Sequence, residues 1–193
     1  SFLEGFAPAT GQRLWRETGL DLAWGPERLG PALLTGERST EGGRSVVTLV
    51  GRDLLTGRAL WREPLALDLA SARLWGEDLL VRLKPGPDAA PTSRYLRAPA
   101  AGPEVRAGAE RLALLNGSRG SLRWAAALGA GPNAGPWIVD ELALVEVPES
   151  GVHRLVAWRR QSEVPAWSLA LPGTLVAEPT RIGAGLHLVV DSG

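Results

Sequence analysis

Apolar residues in this chain come in short runs broken by glycine, proline and charged turns, and almost nowhere at helical spacing. The runs are rich in Val and Leu and have the length of strands. Phe2–Phe6 and Gln12–Arg16 open the chain. Ser45–Val50 is followed by a turn and then Arg58–Arg62. Ala72–Trp75 and Leu79–Leu83 flank Gly76-Glu77-Asp78, a hairpin signal. Trp137–Val139 and Leu142–Val147 flank Asp140-Glu141, and Val152–Trp158 leads through a polar turn to Ala166–Leu171. Thr180–Ile182 and Leu186–Val190 flank Gly183-Ala184-Gly185. Ala107–Leu115 admits one helical turn, but a strand fits its surroundings better. Leu22-Ala23-Trp24-Gly25-Pro26 reads as a strand end or loop, and Thr35–Arg44 as a polar loop. The 24 glycines and 15 prolines are spread as punctuation and form no single linker. An all-β chain follows, with about four antiparallel strands to a unit.

Tryptophan marks the unit. Ala9-Thr10-Gly11-Gln12-Arg13-Leu14-Trp15, Leu55-Thr56-Gly57-Arg58-Ala59-Leu60-Trp61 and Ser118-Arg119-Gly120-Ser121-Leu122-Arg123-Trp124 share a Gly four residues before the Trp. A fourth copy, Gln161 to Trp167, keeps the Trp and has Glu163 in place of the Gly. The Trp-to-Trp steps are 46, 63 and 43 residues. A period of roughly 40–50 residues with a Gly turn and a Trp strand points to propeller blades.

The two ends read as complementary halves. The chain opens on a third-strand and Trp-strand pair and closes on a first-strand and second-strand pair. The step from Trp167 round to Trp15 is 41 residues, close to the others. The expectation is one domain, 1–193, a small propeller of about four four-stranded blades closed by pairing of the N- and C-terminal strands. The alternatives are half of a larger propeller, completed by a second copy or by the rest of a precursor, and a β-sandwich. The long step carries its excess between about 84 and 106, where Pro85, Pro87, Pro91, Pro99 and Pro103 exclude a central strand. That segment reads as a long loop on one face, with Tyr95 in it and one more strand at Arg94–Arg97.

Charge and composition narrow the function. With 21 basic and 21 acidic residues the net charge is zero, so no basic field draws nucleic acid or an anionic membrane. Lys84 is the single Lys, and the Arg, Ala, Leu, Gly and Pro content suggests a GC-rich genome. The chain has no Cys, which removes disulfides, thiolate nucleophiles and cysteine metal sites. It has no Met, even at position 1, so the expectation is a processed chain or a piece cut from a longer precursor, with room for an anchor or leader upstream of Ser1. No apolar run reaches the about 20 residues of a membrane span.

The repeats resemble the quinoprotein-type (PQQ-like) β-propeller repeat, a relative of the WD40-like architectures. Asp53, Thr56-Gly57 and Trp61 fall in that family's Asp, Thr-Gly and Trp places. Thr10-Gly11 and Trp15 match with Ala7 in the Asp place; Asn116, Gly120 and Trp124 match loosely; Arg159, Glu163 and Trp167 keep the Trp alone. The resemblance implies that each Trp docks against the neighbouring blade. One branch of the family is PQQ-dependent dehydrogenases, which place calcium over the quinone beside a vicinal disulfide. This chain has no Cys, about half the length eight blades need, and no calcium-loop spacing of acidic residues. The other branch is non-catalytic scaffolds, among them the propeller lipoprotein of the outer-membrane assembly machinery, and it fits better.

Candidate chemistry is otherwise thin. His153 and His187 lie in strand patterns, with no HExxH and no close pair. No G-x-S-x-G occurs, and Gly117-Ser118-Arg119-Gly120-Ser121 lacks the Lys and the strand–helix context of a phosphate loop. Asn116-Gly117-Ser118 matches a glycosylation triplet, which an Asn-Gly turn explains. We therefore expect no catalytic residue, metal or cofactor. The structural repeat residues are Trp15, Trp61, Trp124 and Trp167 with Gly11, Gly57 and Gly120. Trp24, Tyr95, Trp158 and Arg159 are the candidates for partner contact, since Trp with Arg nearby is interface-like. The expected function is a non-enzymatic protein–protein interaction scaffold of a bacterial cell-envelope or secreted assembly, periplasmic, cell-surface or secreted, with a homodimer among its assemblies. The alternative is a ligand- or ion-binding propeller related to the PQQ-dependent dehydrogenases.

Overall fold

The computed structural model describes residues 1–65, 67–84, 110–128, 134–149 and 151–191. The chain is all-β. A two-stranded sheet, β1 (Phe2–Phe6) and β2 (Arg13–Thr18), comes first. Three four-stranded antiparallel sheets follow, each laid down in chain order. They are β3 (Leu22–Leu29), β4 (Ala32–Glu41), β5 (Arg44–Asp53) and β6 (Ala59–Leu65); then β7 (Asp68–Trp75), β8 (Asp78–Lys84), β9 (Arg111–Asn116) and β10 (Leu122–Ala127); then β11 (Ala134–Val139), β12 (Leu142–Glu149), β13 (Val152–Arg159) and β14 (Trp167–Leu171). The last strands are short: β15 (Thr174–Leu175) pairs with β18 (Val190–Asp191), and β16 (Thr180–Ile182) with β17 (Gly185–His187). Within this run β7 lies against β3 and β11, so the first strands of successive sheets are neighbours, as in blades set side by side.

Strand alternation builds the cores between these sheets. In β8, Leu79, Val81 and Leu83 join Leu34 and Leu49 of the preceding sheet, while Leu80 turns the other way toward Ala143, Val145 and Trp158. In β9, Ala113 and Leu115 face the first of these cores, and Leu112 and Leu114 the second. Both faces of these two middle strands are therefore buried, which is why their sequences read as continuous apolar runs. Burial of each such Leu contributes about 2 kcal/mol.

The structure departs from the sequence reading in two places. Thr35–Arg44 is not a loop. β4 and β5 continue through it to a tight turn at Gly42-Gly43, where φ values of 58° and 80° give the left-handed pair such hairpins use. Its residues are polar because the hairpin projects past the core, with Arg38–Glu41 exposed. Residues 22–26 belong to a full strand, β3, which carries Pro26 at an irregularity in its pairing with β4. The described strand pairs also do not join the chain ends: β1 pairs with β2, and β15–β18 pair among themselves. Closure by the terminal strands is thus not shown among the described residues. Tyr95, the strand at Arg94–Arg97 and nearly all of the loop at about 84–106 lie outside the described residues.

Candidate interaction surface

The joints between sheets are built from the Gly turns and the tryptophans. The turn from Asp53 to Gly57 is closed by Gly57 N–H donating to the Asp53 carbonyl at 2.9 Å and by Asp53 N–H donating to the Arg58 carbonyl at 2.9 Å. Asp53 Oδ1 accepts from Leu55 N at 3.1 Å, Thr56 N at 2.8 Å and Thr56 Oγ1 at 2.8 Å. These bonds, led by the Thr56 hydroxyl, hold the Asp53 carboxyl below its ordinary pKa. Asn116 does the same work in the next turn, accepting from Ser118 Oγ at 2.8 Å and Arg119 N at 3.0 Å. That is the turn expected at the Asn-Gly pair.

Each turn receives a tryptophan from the sheet before it. Trp15 Nε1 donates to the Leu54 carbonyl at 2.8 Å, Trp61 Nε1 to the Gly117 carbonyl at 3.1 Å, and Trp124 Nε1 to the Arg160 carbonyl at 2.9 Å. Leu54, Gly117 and Arg160 occupy one position of the repeat. The rings of Trp15 and Trp61 cover Gly57 and Gly120, which sit at φ 70° and 67°. Glycine is required there twice over, by the backbone angle and by the ring lying on it. Glycine also stands opposite these tryptophans on the adjacent strand, Gly5 across from Trp15 and Gly51 across from Trp61, so each indole lies flat over its neighbour. Across from Trp124 and Trp167 stand Leu114 and Ala157. Trp167 packs at the third core, and no hydrogen bond joins its Nε1 to a described residue.

Trp75 makes a further joint. At the end of β7 it donates from Nε1 to the Asp140 carbonyl in the β11–β12 turn at 3.2 Å. It is not one of the repeat tryptophans, and its place directly before the Gly76-Glu77 hairpin is the signal the sequence offers. The buried Asp78 ties the same region together, accepting from Arg123 Nε at 2.7 Å and lying 3.8 Å from Arg160 Nε.

The residues expected to touch a partner fall differently. Trp158 is 2% exposed and sits in the second core, so it has no surface to offer. Alternation along β13 sends it inward with Val156, opposite to Leu155 and Ala157. Trp24 is half-buried against the first core. Arg159 is exposed at the end of β13.

A groove of about 340 Å³ opens beside the first joint. Trp15 and Gly57 contribute to it, together with Arg16, Glu17, Arg52, Arg58 and Arg62. Arg52 is structural. Its side chain is 3% exposed, its Nε and Nη2 donate to Glu37 Oε1 at 3.1 and 2.8 Å, and its Nη1 donates to the Gly57 carbonyl at 3.2 Å. Arg16, Arg58 and Arg62 are exposed. Arg16 lies 3.4 Å from Glu4 and with its guanidinium 4.9 Å from the centre of the Phe2 ring, and Arg62 lies 3.6 Å from Glu37. Sequence reading missed this cluster because its members come from β2, the end of β5, the following turn and β6.

Elsewhere the buried Glu146 accepts at Oε2 from Leu175 N at 3.2 Å and faces His153 Nδ1 across 2.9 Å at Oε1. Among the described residues no group of three or more His, Cys, Asp or Glu side chains is placed to hold a metal ion. No helix among them is long and apolar enough to cross a membrane.

Fold and joints together define an all-β protein of tandem four-stranded sheets that resemble propeller blades. No protein-family model matches the chain, and no curated protein matches it. Among solved structures it is similar to BamB from Moraxella catarrhalis, with a TM-score of 0.46 and 17% identity over 100% of this chain and 50% of that one. The chain thus spans half the length of that structure.

Proposed function

We propose that this protein is a non-enzymatic interaction scaffold of a bacterial cell-envelope or secreted assembly, and that it grips an acidic segment of a protein partner in the groove at its first joint. The observation that carries this is the groove itself: three exposed arginines beside a docked tryptophan, with Arg52 pinned beneath. Guanidinium groups suit carboxylates, because their paired N–H donors match two oxygens at once. Rigid joints hold the groove in shape before binding, which lowers the ordering cost of association. The resemblance of the repeats to the quinoprotein type supports the envelope setting.

The test is titration calorimetry with a short acidic peptide and its basic counterpart. The acidic peptide should bind, more weakly as salt rises. Arg58→Glu with Arg62→Glu should weaken it by about tenfold or more. Equal binding of both peptides, or no effect of the double reversal, would remove the groove from the function.

A further inference from the structure

The groove at the first joint holds more arginine than open charge. Along β2, Arg16 alternates with Trp15 and Glu17 and stands across from Glu4. It lies 3.4 Å from that carboxylate, with its guanidinium over the Phe2 ring. Arg52 is held by Glu37 and lies 3.7 Å from Glu17, and Arg62 lies 3.6 Å from the same Glu37. Arg58 differs from all of these. Its guanidinium is exposed and lines the groove, and among the described residues it meets no carboxylate and no other acceptor. An acid lines the groove as well: Glu17, its side chain 44% exposed, enters from β2.

A joint does not need these arginines. At the second joint Trp61 docks on its turn with Ser121 in the place of Arg58, directly after the glycine. Leu115 stands there in the place of Arg52, directly before the turn, and Ala125 in the place of Arg62, directly after the tryptophan. The charges of the first joint are therefore additions to a seat that forms without them. Leu55 and Leu60, a few positions either side of Arg58, are 68% and 55% exposed. One open cation beside exposed apolar side chains suits a carboxylate flanked by uncharged residues.

On the footing that the partner binds in this groove, we propose that the groove takes one carboxylate and no more. Arg58 pairs with a single Asp or Glu side chain of the partner segment, whose neighbours are uncharged and apolar, and Glu17 turns away a second acid. A guanidinium with its donors open takes both oxygens of one carboxylate. A second carboxylate would meet arginines already neutralised by Glu4 and Glu37. It would also share the groove with the Glu17 carboxylate, where like charges repel. Arg58 and Glu17 thus set the specificity, while Arg52 and Arg62 hold the groove in shape.

Titration calorimetry of the 193-residue chain with three short Ala-Leu peptides, capped at both ends, tests this. One carries a single central Glu, one carries Glu at the three central positions, and one carries a central Gln. The single-Glu peptide should bind about tenfold more tightly than the Gln peptide, and the three-Glu peptide within about twofold of the single-Glu one. Arg58→Gln should erase the preference for Glu over Gln, whereas Arg62→Gln should cost about twofold. Glu17→Gln should make the three-Glu peptide about fivefold tighter than the single-Glu one, a gain that a merely structural role for Glu17 would not produce. On the parent chain, a three-Glu peptide tenfold tighter than the single-Glu one overturns the one-carboxylate limit and leaves the acidic-segment reading standing. Equal losses from Arg58→Gln and Arg62→Gln do the same. Binding of neither acidic peptide overturns both.

Discussion

Gly57→Ala is the sharpest probe of how the sheets are held together. At φ 70° any Cβ is strained, which costs about 1 kcal/mol. The Cβ would also stand 2.6 Å from Trp15 Cδ2, well inside contact distance. Relief requires the indole to lift. That stretches its 2.8 Å bond to the Leu54 carbonyl, worth about 1 kcal/mol, and uncovers on the order of 50 Å² of apolar surface, about another 1 kcal/mol. The total is about 3 kcal/mol. Gly19→Ala is the control: φ is 77°, yet no atom of the described residues lies within 4 Å of the new Cβ, so the backbone cost of about 1 kcal/mol stands alone. In thermal and urea unfolding followed by tryptophan fluorescence, Gly57→Ala should lose about 2 kcal/mol more than Gly19→Ala, or roughly 6 °C more in Tm for a chain of this size. If the two variants agreed within about 0.5 kcal/mol, the docked ring would contribute nothing to stability and the account of the joints would fail.

Two further outcomes follow from single side chains. The folded Asp53 carboxyl is held below its unfolded pKa of about 3.9, so its contribution to stability is complete above that pH and is lost as pH falls through the lowered folded value. Asp53→Asn should therefore flatten the acid limb of a stability–pH curve below about pH 4, and an unchanged limb would count against the turn chemistry. Glu146→Ala should destabilise by about 3 kcal/mol in urea unfolding, because it removes the buried acceptor of Leu175 N and the partner of His153, while Glu146→Gln should lose clearly less.

Much of this fold was legible because strands, Gly turns and Trp positions are local in sequence. The alternation in β8 and β9 and the hairpin at Gly76-Glu77 follow from residues within a few positions of one another. The repeat marked Trp15, Trp61 and Trp124 before any contact was known, since a turn that needs positive φ must spend a glycine on it. The Gly42-Gly43 hairpin was equally readable, but polar residues on its two strands hid it. Apolar alternation reports the core a strand packs on, not the strand itself.

What only the tertiary structure decided is where side chains from separate strands meet. Trp158 looked available beside Arg159, and the packing of one sheet on the next buried it. The carbonyls of Leu54, Gly117 and Arg160 are acceptors only because a neighbouring sheet brings an indole over each. The arginine groove gathers residues from three separate strands and a turn, and no spacing rule joins them. Local preference, set by backbone angles and alternation, was written in the sequence; partnership, set by long-range packing, was not.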